Sequence, residues 1–210
     1  RALPQPEPLK AWDEAGQVVP LHGAAAKIAE NMQASLAVPT ATSQRHIPVK
    51  VIDENRRLIN QYLDLTGGGR ISYTHLIGWA IVQALNHLPN LNNAYQDTDG
   101  RPSRIERRQV CLGVAVDVER KDGSRLLMVP NIKNAAALSF LEFYKGLNEV
   151  FTRVRTGKAE TSDFLGTTIT LTNPGTVGTV ASMPRLMPGQ GAIIATGAID
   201  HPAEYHGMPA

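Results

Sequence analysis

The run Gly166-Thr-Thr-Ile-Thr-Leu-Thr-Asn-Pro-Gly175 constrains this chain more than any other stretch. Thr168, Thr170 and Thr172 alternate with Ile169 and Leu171. That alternation predicts a strand with hydroxyls on one face and aliphatic side chains on the other. Asn173, Pro174 and Gly175 then stop the strand at a turn. Thr172, the last of the row, is left where its hydroxyl can point into a cleft as a neutral hydrogen-bond donor.

The rest of the chain supplies elements to pack around this strand. Residues 23–36 read as a helix, with Ile28, Met32 and Leu36 on one stripe. Residues 40–52 alternate as a strand, Ile47, Val49 and Val51 facing one way and His46 and Lys50 the other. Pro48 places that strand at an edge or bulge. Asp53 is read as the cap of a second helix with Leu58, Ile59, Tyr62 and Leu63 inward, closed by Gly67-Gly-Gly69. Residues 71–88 form the clearest helix, capped by Ser72 or Thr74. Its expected buried face is Leu76, Ile77, Ala80, Ile81, Ala84 and Leu85. Residues 96–104 read as polar turn, and 110–118 as an apolar strand covered on both faces. Lys121-Asp-Gly123 is a hairpin turn, returning as a strand at 126–129. Residues 136–156 make a long amphipathic helix with Leu138, Leu141, Tyr144, Leu147, Val150, Phe151 and Val154 inward. After a short turn at 160–165 come the threonine strand, a loop to Gln190 and a last apolar strand at 191–199. The order predicts an α+β fold, a mostly antiparallel or mixed sheet with helices packed on it. Residues 1–20, with Pro4, Pro6 and Pro8, read as a linker or arm that Trp12 can anchor, and 21–210 as one domain.

Composition narrows the function classes. The charge of +2, from 21 basic and 19 acidic residues, gives no drive towards nucleic acid or an anionic membrane surface. No apolar run approaches the roughly 20 residues of a membrane helix, and no signal-peptide pattern is present. The single Cys111 excludes an internal disulfide, reads as a small buried hydrophobe and suits a reducing compartment, hence the cytoplasm. The chain starts at Arg1 without Met, and the expectation is a piece of a longer polypeptide. The six histidines show no metal-ligand spacing. Gly67-Gly-Gly-Arg70 lacks the Lys-Ser/Thr of a phosphate loop, and no Gly-x-Ser-x-Gly elbow occurs. His75, in the first turn of its helix, is expected to stay neutral and to bond locally. No histidine is marked by its setting as a general base.

Beyond the threonine strand lies a longer string: Thr172-Asn-Pro-Gly-Thr-Val-Gly178, then Pro184-Arg-Leu-Met-Pro-Gly-Gln-Gly-Ala-Ile-Ile194. It resembles the catalytic domain of the dihydrolipoyl acyltransferases, the second components of 2-oxo acid dehydrogenase complexes. The resemblance spans residues 20–200. Residues 19–40 are similar to the family's opening helix and following strand, His87-Leu-Pro-Asn-Leu-Asn92 to a helix end, and 110–129 to its central hairpin. The string most resembles a subgroup in which this domain is fused in front of a thiamine-dependent 2-oxoglutarate dehydrogenase (decarboxylase) in actinobacteria.

The resemblance implies a two-layer sandwich like chloramphenicol acetyltransferase, assembled as a homotrimer. It implies transfer of an acyl group, succinyl in this subgroup, between dihydrolipoamide and coenzyme A. The lipoyl group rides on a partner's lipoyl domain. Thiamine diphosphate and magnesium belong to the fused or partner dehydrogenase domain, and dihydrolipoyl dehydrogenase is a further partner. Thr172 aligns with the family's oxyanion-stabilising Thr/Ser, and Asn173 with a residue that shapes the turn. One departure stands out. The family's general base is the His of a His-x-x-x-Asp-Gly motif, which this chain lacks; His201-Pro-Ala-Glu-Tyr205 and His206-Gly-Met-Pro-Ala210 do not match it. The catalytic domain is therefore expected to be C-terminally incomplete, and the 210 residues alone inactive, unless His206 substitutes. A scaffold that trimerises and presents the thiamine enzyme is the alternative reading, and a free-standing small-molecule acetyltransferase a third. Arg185 and Lys158 are candidate partners for a carboxylate or phosphate, though charged loop residues are usually solvated.

Overall fold

The computed structural model of the chain describes residues 16–119 and 123–200. The expected Pro-rich arm, apart from residues 16–20, lies outside them, with Trp12, the turn residues Lys121 and Asp122, and the tail carrying His201 and His206.

Helix α1 (Ala24–Ser35) starts at Gly23, whose φ is 58°, and its apolar residues Ile28 and Met32 stay 43% and 40% exposed. Helix α2 (Lys50–Thr66) is closed by Gly67 in the left-handed conformation, at φ 71°. Helix α3 (Tyr73–His87) starts at Ser72 and stops before Pro89. Helix α4 (Phe140–Arg155) opens on a reciprocal cap: Ser139 Oγ accepts from the Glu142 N–H at 3.3 Å, and Glu142 Oε2 accepts from the Ser139 N–H at 2.7 Å.

The strands are β1 (Ala94–Thr98), β2 (Arg101–Ile105), β3 (Leu112–Val114), β4 (Val116–Glu119), β5 (Arg125–Met128), β6 (Asn131–Ile132), β7 (Ile169–Thr172) and β8 (Ala192–Ala195). β1 with β2, and β4 with β5, form antiparallel ribbons. The central sheet has the order β6-β3-β7-β8, with β6 antiparallel to β3 and β3, β7 and β8 parallel. The sheet is thus mixed, with β7, the threonine strand, in its interior.

Helices α3 and α4 cover one face of this sheet. A Cβ on Gly78 of α3 would lie 3.2 Å from Phe143 of α4 and 3.3 Å from Leu112 of β3, so the glycine admits close helix–sheet packing. Leu112, Phe143, Leu147, Ile169 and Leu171 are at most 1% exposed and form the centre of the core. The opposite face carries Gly113, Val129 and Thr170, and it too is closed: Thr168 and Thr170 are 3% and 4% exposed.

Several sequence expectations are corrected. Residues 40–52 are not a strand: 39–49 have no regular structure, residues 50–52 belong to α2, and Ile47 and Val51 are 70% and 67% exposed. Alternation needs a pairing partner, and none exists among the described residues. Asp53 does not cap α2; it lies inside the first turn, and its carboxylate accepts from Tyr73 Oη and Arg56 Nη2. Leu58 and Tyr62 face outward on α2, and its buried residue is Asn60, which bonds both backbone groups of Ile71. In α3 the buried face is His75, Gly78, Val82 and Leu85, rotated from the expected one because the helix is apolar all round. Leu141 of α4 is exposed, while Phe143 is fully buried. The predicted turn at 96–104 is the β1–β2 ribbon, turned by Asp99 and Gly100, both at positive φ. The single apolar strand at 110–118 is split at Ala115 into β3 and β4.

Candidate active site

The threonine row is where the sheet becomes chemically uneven. Thr168 Oγ1 accepts from the Cys111 N–H at 3.0 Å, and Thr170 Oγ1 donates to Gln190 Oε1 at 2.7 Å. Both hydroxyls are consumed by structure. Thr172, on the same face by strand alternation, is half-buried, and its Oγ1 has no hydrogen-bond partner among the described residues.

The backbone around Thr172 is tightly held. Its carbonyl accepts from the Thr196 N–H at 3.0 Å, and Gly175 N–H donates to the Thr196 carbonyl at 3.1 Å. Residues Pro174–Val177 form a short 3-10 turn, so the strand stops where Pro174 was expected to stop it. The turn and the chain leaving β8 nearly touch: a Cβ on Gly175 would lie 2.2 Å from the Gly197 carbonyl oxygen, and one on Gly197 2.1 Å from that of Val180. Only glycine fits at either place. Asn173 reaches out of the turn, its Nδ2 standing 3.5 Å from Thr74 Oγ1 in the first turn of α3. The end of β7 is thereby tied to the start of α3.

A basic concavity opens beside the same helix start, lined by Arg56, Arg57, Asn60, Gln61, Asp64 and Arg70. Arg56 is fixed in it, donating to Asp53 at 2.9 Å and lying 4.4 Å over the Tyr73 ring. The Tyr73 hydrogen bond, then the Arg56 one, hold the Asp53 carboxyl below its usual range. Arg70 has Asp64 at 3.7 Å, and Arg57 has no ion-pair partner among the described residues.

His75, expected to be neutral and locally bonded, is so. Its Nδ1 accepts from the Ser72 N–H at 3.0 Å, leaving the proton on Nε2, which donates to Asn148 Oδ1 at 3.2 Å. Burial pushes its pKa below 6.5, with the Asn148 bond opposing. It faces α4, packed on Tyr144, and as a general base it is directed away from the Thr172 end of β7. His22, His46 and His87 are exposed, as are Arg185 and Lys158 in their loops. Sequence reasoning missed Thr74, Arg107, Gln190 and the arginine concavity. Only the glycines flanking Gln190, and the closeness of Arg56 to Arg57, could have signalled the latter two.

The fold is that of an acyltransferase core. Among solved structures, a probable dihydrolipoamide acetyltransferase from Listeria monocytogenes superposes with a TM-score of 0.76 at 26% identity, covering 88% of this chain and 76% of that one. A dihydrolipoamide acetyltransferase from Azotobacter vinelandii shares the fold at TM-score 0.78 and 24% identity, over 92% of this chain and 78% of that one. The expected two-layer α+β sandwich of the chloramphenicol acetyltransferase type therefore holds. The family model of the 2-oxoacid dehydrogenases acyltransferase (catalytic domain) matches residues 13–208, and the chain belongs to that family. A multifunctional 2-oxoglutarate metabolism enzyme of Mycobacterium sp. (strain JLS) is 50% identical over 195 residues, 93% of this chain. That match spans 15% of the relative's own length. Among the described residues, no helix is long and apolar enough to cross a membrane.

Proposed function

We propose that this chain carries the acyl-transfer step of 2-oxoglutarate metabolism, moving a succinyl group between dihydrolipoamide and coenzyme A. One observation carries the reading: of the three threonines on one strand face, only Thr172 keeps a hydroxyl unspent on the described residues. In the reaction a base takes the proton of the incoming thiol. The thiolate attacks the thioester carbonyl carbon, a carbon–sulfur bond forms, and the carbonyl oxygen becomes an oxyanion. The tetrahedral species collapses, the old carbon–sulfur bond breaks, and the departing sulfur regains a proton. Thr172 Oγ1–H donates to the oxyanion. Asn173, through Thr74, sets the turn that presents it.

The family's general-base His motif is absent from these residues, and His75, already bonded at both ring nitrogens, does not replace it. The arginine concavity offers the phosphates of coenzyme A charge-assisted donors at the same end of α3. The polypeptide works as a homotrimer in the cytoplasm, with residues 1–20 as an arm leading into the catalytic domain at 21–210. A partner's lipoyl domain delivers the dithiol, and dihydrolipoyl dehydrogenase reoxidises it. Thiamine diphosphate and magnesium reside on a fused or partner dehydrogenase domain. The relative's name supports the choice of 2-oxoglutarate. Family membership favours transfer over a purely scaffolding role.

The test is transfer from succinyl-coenzyme A to dihydrolipoamide, followed by thioester formation, in the polypeptide with its gene's own flanking sequence. Appearance of succinyl-dihydrolipoamide supports the reading. Its absence, together with no coenzyme A binding by calorimetry, rejects it.

A further inference from the structure

Beside Thr172, on the same face of β7, the chain holds a second side chain in a fixed pose. Residues 189–191 are pinned from several sides. Arg107 Nη2 donates to the Gly189 carbonyl at 3.0 Å, and Gln190 N–H donates to the Met187 carbonyl at 3.2 Å. Gly191 N–H donates to the Thr168 carbonyl at 2.9 Å, and a Cβ on Gly191 would lie 2.4 Å from the Leu91 carbonyl oxygen. From this anchored segment Gln190 reaches over the threonine face. Thr170 Oγ1 donates to its Oε1 at 2.7 Å, which leaves the Nε2 amide as the side chain's remaining donor. That amide has no partner among the described residues.

We propose that Gln190 is a specificity-determining residue, whose amide binds the free carboxylate of a four-carbon dicarboxylic acyl group. This rests on the acyl-transfer reading above. Thr170 and Thr172 lie on one strand face about 6.6 Å apart. An extended four-carbon chain places its distal carboxylate oxygens about 5–6 Å from the thioester oxygen. With that oxygen on the Thr172 hydroxyl, the carboxylate comes level with Thr170, which Gln190 covers, and meets the half-buried Gln190 side chain rather than the threonine itself. A two-carbon acyl group has nothing to reach this donor. The contact is a charge-assisted hydrogen bond from a neutral group. The Arg107 guanidinium behind Gly189, its Nε buried without a described partner, adds a positive potential of the right sign.

The test compares succinyl and acetyl thioesters of coenzyme A in the flanked polypeptide. Gln190→Glu keeps an acceptor for the Thr170 hydroxyl and replaces the donor with an anion. The ratio of kcat/KM for succinyl over acetyl is expected to fall about 10- to 100-fold. Thr172→Ala lowers both thioesters alike and leaves the ratio in place. If Thr172→Ala has this effect but Gln190→Glu moves both thioesters equally, or neither, the role of Gln190 is overturned while the transfer reading stands. If Thr172→Ala changes nothing, the reading itself fails, and this inference with it. Should turnover be too slow to measure, the same ratio is taken from the dissociation constants of the two thioesters by calorimetry. An unchanged ratio in Gln190→Glu, or no binding of either thioester, then overturns the proposal.

Discussion

At the scale of single residues, His75 shows how burial sets charge. The ring is 4% exposed, bonded at both nitrogens and 5.0 Å from the Tyr144 ring. Protonation would add a charge in an apolar setting and put a proton on Nδ1, where Ser72 already donates. Its folded pKa therefore lies below 6.5, and the unfolded chain binds more protons in that window. The stability contributed by neutral His75 is fully present above pH 6.5 and is lost as pH falls towards the folded value. Asp53 and Asp163, held low by Tyr73 and Arg153 respectively, give up their contributions only as pH falls below 3.8. The two windows are separate. Urea unfolding at about pH 7.5, 6.0 and 5.0 should show a stability decline that flattens in His75→Gln. An unaltered slope in that variant would remove His75 as the cause.

At the scale of elements, the sheet core and the loop over it respond differently to substitution. Phe143 is fully buried between α3 and the sheet, so Phe143→Ala should cost about 3–5 kcal/mol, read as a lower urea midpoint. Gly191→Ala acts through backbone: its Cβ would sit 2.4 Å from the Leu91 oxygen, and that atom cannot rotate aside. Segment 189–191 must shift, carrying Gln190 from Thr170, so this variant should lose acyl transfer as well as stability. Full activity with an alanine there would mean that the loop position does not matter. These elements also mark what could be read in advance. Helix α4 and strand β7 were legible because their periods are clean and the Asn173-Pro174 stop of β7 is local, although the expected helix start at 136 fell ahead of the Ser139 cap. The α3 face was not, because a helix apolar on every side leaves its phase to Gly78 and the residues packed on it. The β1–β2 ribbon was hidden by its polar faces, and the strand expected at 40–52 by an alternation with nothing to pair with. Thr172 was visible as the end of a row. Gln190 was not, because its hydrogen bond joins residues 20 apart in sequence.

At the scale of the molecule, the monomer leaves apolar surface uncovered. Val51, Leu58, Tyr62 and Leu65 repeat along the outer face of α2 at 65–87% exposure, and Ile47 precedes them at 70%. Such a row is costly in water and suits burial between subunits. Sedimentation equilibrium should give three times the chain mass, and Leu58→Lys with Leu65→Lys should lower that mass while far-UV circular dichroism is retained. A monomer in the parent protein would contradict the proposed trimer. The proposed chemistry turns on one hydroxyl, that of Thr172. The most direct test is steady-state acyl transfer by the flanked polypeptide carrying Thr172→Ala. Its kcat should fall roughly 100- to 1,000-fold with KM for coenzyme A little changed, the signature of a contact made in the transition state. A kcat equal to that of the parent would contradict it.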